Sequence, residues 1–301
     1  MGQRKWVSVA SSNEKTWRVA ARMIRGRVQR VAEVLPPAVE GSSDALEAVH
    51  QLRIWSRRAE AALQLSKPLL LRHDRRRLAN QLKSLRRAAG AARDADVLQQ
   101  RAAALKSGLA REHLLERLTE RRQLAQPALV EVSKQLGQGR GLRKQSRQLL
   151  RRLRHDHGGP AGRQPIRRWA RRRLRKLIKD FERSSHQDLS VLDQLHKFRI
   201  AGKRLRYALE LVALAFGKEL RKRLYPKLDR LQTELGNIND TRNFGVVLEE
   251  AWCEAKNRPL KSQLNRLRLA EERRLRTALE TWLATWTGRR LRRLAGQLRR
   301  A

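Results

Sequence analysis

The feature that most constrains the fold is an internal repeat that spans much of the chain. The segment 50–54, His-Gln-Leu-Arg-Ile, reappears 146 residues later as 196–200, His-Lys-Phe-Arg-Ile. The register continues without a gap over roughly 45 residues, so that Asp94 falls on Asp240. Upstream of the motif, a shift of 150 residues aligns the two copies. The repeat therefore predicts two similar halves in tandem, packed about a pseudo-two-fold axis.

Each half is predicted to be helical, because apolar residues recur three or four positions apart. One such stripe comprises Trp17, Ala21, Ile24, Val28, Val31 and Leu35. Pro36 and Pro37 are predicted to end this helix, and Asp44 to cap the next one, which runs to about Leu65. No stretch shows the sustained alternation of a β-strand. The chain is thus predicted to be all-α, with about ten to twelve helices.

Breaker residues suggest where the halves divide. The segment 155–162 contains three glycines and a proline, and it predicts a linker at 156–164. The first half then covers 13–155 and the second 165–287, followed by a basic C-terminal helix or tail at 288–301. Within the halves, two glycines are predicted to end helices and two aspartates to cap the helices that follow. These residues are Gly90, Gly236, Asp94 and Asp240.

The charge of the chain limits the class of partner. It has 70 Lys and Arg against 29 Asp and Glu, a net charge of +41 spread over its whole length. Such self-repulsion destabilises a compact state unless anions are bound, so a polyanionic partner is predicted. No apolar run is long enough to span a membrane, and Met1–Ala10 lacks a signal-peptide core. With a single cysteine and hence no internal disulfide, a cytoplasmic protein is expected. No cofactor is predicted.

The repeated motif places a basic stripe on one helix of each half. At about 100° per residue, His50, Arg53 and Arg57 lie opposite the apolar side that carries Leu52 and Leu63. If the halves face each other, both stripes line one channel, where the planar fork of arginine suits phosphate oxygens. The matching stripe in the second half comprises His196, Arg199 and Lys203. Residues that flank the two stripes are Arg58, Arg204 and Arg206.

A second matched set lies on the first helix of each half, beside its apolar stripe. These residues are predicted to reach a groove between helices. In the second half, basic residues surround the helix at 167–176, so anion binding and plain solvent exposure are equally open there. The set comprises Arg18, Arg22 and Arg25 in the first half and Arg168, Arg172 and Arg175 in the second.

The paired helices that read His-x-x-Arg-Ile-x-x-(Arg/Lys)-Arg, each followed by Gly-x-x-(Arg/Asn)-Asp, resemble the conserved-histidine α-helical domain (CHAD) family. The resemblance covers residues 13 to 287. It implies two similar four-helix bundles around a positively charged central cavity, binding of inorganic polyphosphate, and association with polyphosphate granules. The second Asp motif departs from the first, because Asn239 and Thr241 replace Arg93 and Ala95. Positions that match the motif are His50, Arg53, Arg57, Arg58, His196, Arg199, Lys203 and Arg204.

Two alternative functions stay open at this point. The charge permits nucleic-acid binding, although 7 Trp, 4 Phe and 2 Tyr offer few platforms for base stacking. A His-dependent enzyme or metal site is less favoured, because the motif surrounds its histidines with cations rather than carboxylates or thiolates. No recognisable catalytic or metal-ligating constellation occurs, so binding without catalysis is predicted. The histidines are expected to donate hydrogen bonds to phosphate, with the bound anion raising their pKa.

Overall fold

The computed structural model of the protein describes residues 5–40 and 45–300. It is 88% helical and contains no β-strand within those ranges, which confirms the predicted all-α fold. Asp44, the predicted cap of the second helix, lies outside the described residues.

The first half contains five helices that follow one another with short connections. They are α1 (Thr16–Glu40), α2 (Ala45–Leu65), α3 (Arg72–Ala103), α4 (Leu109–Gln135) and α5 (Arg140–Asp156). A short helix, α6 (Gly159–Arg163), leads into the second half. The helices there are α7 (Ile166–Ser185), α8 (Leu192–Val212), α9 (Tyr225–Glu254), α10 (Arg258–Thr285) and α11 (Gly288–Arg300).

The order of helices in the second half repeats that of the first. The two motif helices, α2 and α8, have 21 residues each. In the first half α5 returns to pack on α1, and in the second α11 returns to pack on α7. The C-terminal segment is therefore a packed helix, with Leu291, Leu294 and Leu298 buried.

Two apolar cores join the halves. The larger core includes residues of both motif helices, and α2 packs directly against α8 along a contact that we call the seam. The smaller core lies where the far ends of α3 and α4 meet those of α9 and α10, around Leu114, Phe244 and Leu264. The halves therefore meet at the seam and again at the helix tips, which holds their relative position.

The predicted end of the first helix at Pro36 is wrong, because α1 continues through both prolines to Glu40. Proline removes the amide that would bond to the carbonyl four residues back. The carbonyl of Ala32 loses its donor at Pro36 and instead accepts a hydrogen bond from Arg143 Nη2 of α5 at 3.3 Å. A neighbouring helix thus satisfies the freed carbonyl group.

The predicted helix ends at Gly90 and Gly236 are also wrong. Both glycines lie inside long helices, α3 and α9, so Asp94 and Asp240 are mid-helix residues rather than N-caps. A glycine in a helix interior costs only about 1 kcal/mol relative to alanine, which packing of the flanking turns can offset.

The predicted linker is ordered and packed. His157 adopts a left-handed conformation, and its ring lies 5.1 Å from that of Trp17 between centroids. The Gln164 carbonyl accepts a bond from Thr16 N at 3.0 Å, and Ile166 N donates to the Glu14 carbonyl at 2.8 Å. The connection between the halves is therefore fastened to the start of α1. None of the described helices is both long and apolar enough to cross a membrane.

Candidate functional site

A large basic cavity opens between α2 and α3 of the first half and α7 and α8 of the second. Its volume is 1390 Å³, and eleven Lys or Arg side chains line it against two carboxylates, Glu60 and Asp180. We call it the central cavity. Its basic wall residues are Arg57, Lys67, Arg75, Arg76, Lys83, Arg86, Arg173, Lys176, Arg199, Lys203 and Arg204.

Residues of both repeated motifs reach this cavity. Arg57 comes from α2, and the α8 residues in the wall include His196, Arg199, Lys203 and Arg204. Burial and then the charges of Arg199 and Arg57 lower the pKa of Lys203 to about 7. Arg57 of α2 and Lys203 of α8 both line this cavity, so the two basic stripes approach each other at these residues, as the facing arrangement predicts.

The arginines of the stripes repel one another across the seam. Burial lowers the pKa of Arg57, and the charge of Arg53 lowers it further. Burial likewise lowers the pKa of Arg199, as do the charges of Arg57 and Arg53 on the facing helix. The cavity therefore concentrates like charges that an anion would neutralise.

Partners on the neighbouring helices orient the motif arginines. Arg53 donates to the Asp94 carboxylate and, at 3.3 Å, to the Gly90 carbonyl. In the second half Arg199 Nη2 donates to Asn239 Oδ1 at 2.9 Å. The Gly-x-x-(Arg/Asn)-Asp segments thus supply acceptors for the motif arginines. The buried Nε atoms of Arg173 and Arg199 have no hydrogen-bond partner among the described residues, which leaves donors in or beside the cavity wall.

The two histidines differ in placement but share the direction of their pKa shifts. His196 lines the cavity, whereas His50 is absent from its wall and lies near Arg93. Burial and neighbouring arginines lower the pKa of both, which favours the uncharged form of each ring. The free protein therefore disfavours the charged histidines that the sequence led us to expect, and a bound anion would be needed to favour them.

Two predicted site residues, Arg58 and Arg206, lie instead on the other side of the seam. Arg58 Nε donates to Glu210 Oε2 at 2.7 Å, and Arg206 Nη1 donates to Asp229 Oδ1 at 2.9 Å. Glu210 is 1% exposed and also accepts a bond from the Tyr225 hydroxyl at 2.8 Å. These arginines therefore connect α2, α8 and α9, and their charges are already paired.

The N-terminal segment covers this side of the seam. Val7 N donates to the Glu210 carbonyl at 3.4 Å, and the ring of Trp6 lies edge-on to Tyr225 with centroids 4.8 Å apart. Arg27 of α1 donates to the Lys5 carbonyl. The face formed by α1, α2, α8 and α9, which we call the closed side, is thus filled by the protein itself.

The first-helix arginines do not join the central cavity. Arg168, Arg172 and Arg175 line a separate cavity of 730 Å³. Arg22 is held by Glu14 in two bonds of 2.5 and 2.6 Å, while Arg18 and Arg25 are exposed and line neither cavity.

Several basic residues of the cavity wall were not predicted from the sequence, because they lie outside the repeated motif. On α3, Arg76, Lys83 and Arg86 share a face at helical spacing, which is the signal that could have found them. A comparison of the two repeats does not show this basic face. The second-half counterparts of Lys83 and Arg86 are Asp229 and Gln232, which are not basic. The missed basic residues are Lys67, Arg75, Arg76, Lys83, Arg86, Arg173 and Lys176.

Comparison with known proteins gives a family and a fold. A family model described as the CHAD domain matches residues 22–249. The crystal structure of the CHAD domain from the plant Ricinus communis superposes with a TM-score of 0.65 at 22% identity, covering 98% of this chain and 95% of that one. PptA from Streptomyces chartreusis gives a TM-score of 0.63 at 16% identity, covering 90% and 100%. No curated protein matches the chain.

Proposed function

The chain belongs to the CHAD domain family, whose members are associated with polyphosphate binding in general, and we propose that this protein binds inorganic polyphosphate in its central cavity. The observation that carries the proposal is a cavity with eleven basic wall residues against two carboxylates, in which Arg57 of the first stripe meets Arg199 and Lys203 of the second. A chain of phosphates supplies closely spaced negative charges along its length, which matches such a wall.

Electrostatics favours an anion with many charges over a single small ion. Arg57, Arg199 and Lys203 repel one another in the free protein, and a bound phosphate chain replaces that repulsion by attraction. The same chain would raise the pKa of Lys203 from about 7 toward its ordinary value. Binding is therefore expected to take up a proton near neutral pH.

The cavity wall suits a bare phosphate chain better than a nucleic acid. Tyr207 is the aromatic residue among those that line it. Non-specific single-strand binding usually depends on several stacked bases, each of which contributes about 1–3 kcal/mol. With one aromatic side chain, the wall offers phosphates many partners and bases few.

Competition with nucleic acids tests this function. Long-chain polyphosphate should bind tightly at low salt, weaken steeply as salt rises, and resist displacement by RNA or duplex DNA at equal phosphate concentration. Isothermal titration at two salt concentrations measures the first two effects, and fluorescence competition the third. Displacement by RNA or DNA at equal phosphate would instead favour nucleic acid, and an affinity that salt does not change would contradict both.

The proposal includes binding without catalysis. Incubation of the protein with polyphosphate should release no orthophosphate above the level of a His50→Ala/His196→Ala variant. Release that this double variant abolishes would establish a His-dependent activity and contradict a purely binding role.

Association with polyphosphate granules follows from the same binding. A fluorescent fusion of the full chain should concentrate on granules, whereas the fusion with Arg57→Glu and Arg199→Glu should remain diffuse. Equal recruitment of both fusions would show that the cavity does not direct localisation.

A further inference from the structure

The outer face of α7 carries a second basic groove, separate from the central cavity. It has a volume of 730 Å³, and Asn13, Gln164 and Pro165 form part of its lining. None of the described residues that line it is acidic. Its basic residues are Arg167, Arg168, Arg171, Arg172 and Arg175. We call it the outer groove.

The arginines of the outer groove differ from many others in the described part of the chain in their lack of acidic partners. In the described part of the chain, no carboxylate forms an ion pair with any of these five side chains. The contrast with the first half is direct, because Arg22 corresponds to Arg172 at the shift of 150 residues and is neutralised by Glu14 at 2.5 Å. The protein thus pairs this position in one half and leaves it available in the other.

The backbone holds one edge of the groove in place. Ile166 N donates to the Glu14 carbonyl at 2.8 Å, and Arg167 N donates to the Ser12 carbonyl at 3.2 Å. The first turn of α7 is therefore fastened to the segment that precedes α1. Arginines on a fastened helix keep their spacing, which lowers the cost of ordering them around a ligand.

Helix α7 separates the outer groove from the central cavity. It contributes Arg173 and Lys176 to the cavity and Arg172 and Arg175 to the groove. Successive helical residues point about 100° apart. Arg172 therefore faces the groove while its neighbour Arg173 faces the cavity, and Arg175 and Lys176 divide in the same way. The two basic surfaces are one helix apart.

We propose that the outer groove is a second phosphate-binding site, which takes the continuation of a long polyphosphate chain whose other part occupies the central cavity. The inference rests on the proposed function and adds a preference for long chains. Once one part of a chain is bound, the remainder reaches the groove at high effective concentration, which multiplies the affinity. A chain too short to pass around α7 lacks this gain. None of the described residues in the groove wall is aromatic, so its partner is phosphate rather than a nucleobase.

Chain length distinguishes the outer groove from the central cavity. The test variant is Arg168→Gln/Arg172→Gln/Arg175→Gln, which keeps good helix formers at exposed positions. A matched control, Arg147→Gln/Arg151→Gln/Arg154→Gln, removes three exposed arginines of α5 that line neither cavity. Each protein is titrated with tripolyphosphate and with long-chain polyphosphate, after circular dichroism has verified its helicity.

The groove variant should lose about tenfold or more in affinity for the long chain and keep its affinity for tripolyphosphate, relative to the control. Equal affinities of groove and control variants for the long chain would overturn the inference while leaving the proposed function intact. An equal loss for both chain lengths would also overturn it, because the groove would then act only through net charge. If the unmodified protein binds neither ligand, the proposed function itself fails.

Discussion

The two sides of the seam between α2 and α8 are built from matching helices, yet one is open and the other is filled. The central cavity is lined by eleven basic residues with two carboxylates. On the closed side, Arg58 and Arg206 are paired with Glu210 and Asp229, and the N-terminal segment lies over them. The same repeat thus produces a surface that attracts anions and a surface that holds the halves together.

A few substitutions between the copies account for this difference. At the shift of 146 residues, Gln64 corresponds to Glu210 and Lys83 to Asp229. Each change places a carboxylate on the closed side where the open side has an amide or an amine. The repeat therefore preserves the helices, while individual side chains decide whether the charge of each face is left for a ligand or satisfied internally.

Removal of Glu210 should produce the largest change in stability. Glu210→Ala leaves Arg58 and the Tyr225 hydroxyl without a buried acceptor, so the free energy of unfolding should fall by about 3 kcal/mol in urea titrations. The matched control is Asp180→Ala, since Asp180 lies in the open cavity and has no ion pair among the described residues. Similar losses in both variants would refute the structural role of the closed side.

Charge reversal should separate the two sides by affinity. Arg57→Glu/Arg199→Glu should weaken polyphosphate binding by roughly 100-fold, because two charged hydrogen-bond donors become repulsive groups. Arg221→Glu/Lys222→Glu changes the net charge equally at the second-half counterparts of Arg75 and Arg76, which do not line the cavity, and should weaken binding much less. Fluorescence titration measures both, and equal weakening would show that bulk charge rather than the cavity determines affinity.

The stability of the free protein should depend on pH through Lys203. Its pKa is about 7 in the folded state, whereas an unfolded lysine titrates near 10.4, so between these values the unfolded state binds more protons. Stability should therefore rise with pH across that window, by at most about 1.4 kcal/mol per pH unit. The rise should flatten in Lys203→Met and persist in Lys83→Met, which changes an exposed lysine of the same cavity. A persistent rise in Lys203→Met would exclude this assignment.

Among these changes, loss of a contact of the N-terminal segment should have the smallest effect on the free energy of unfolding. Trp6→Ala removes the edge-on contact with Tyr225. It should lower the free energy of unfolding by about 1 kcal/mol without changing polyphosphate affinity. Leu124→Ala, at a side chain that is 81% exposed, is the control and should change neither quantity. A gain in polyphosphate affinity in Trp6→Ala would mean that the closed side can also accept the ligand.

The sequence predicts the helices well, including the two that carry the repeated motif, because helix formation follows local apolar periodicity. It predicts a helix end at Pro36 wrongly, since the donor that satisfies the Ala32 carbonyl is Arg143, more than a hundred residues away. It predicts a helix end at Gly90 wrongly, since the cost of a glycine inside a helix is small enough for packing of the flanking turns to offset. The sequence also places Arg206 among the binding residues. In the structure Arg206 is paired with Asp229, a contact that forms only because α9 packs against α8. Tertiary contacts decide which arginines are paired, and a linear pattern does not contain them.

The like charges that crowd the central cavity also bear on how long the protein survives. Repulsion among Arg57, Arg199 and Lys203 destabilises the folded state, and an anion bound in the cavity relieves that repulsion. A ligand present at about 100 times its Kd stabilises the folded state by about 2.7 kcal/mol. The empty protein is correspondingly easier for proteases to degrade. The abundance of this protein would then follow the supply of its anion, with surplus copies removed when that supply falls.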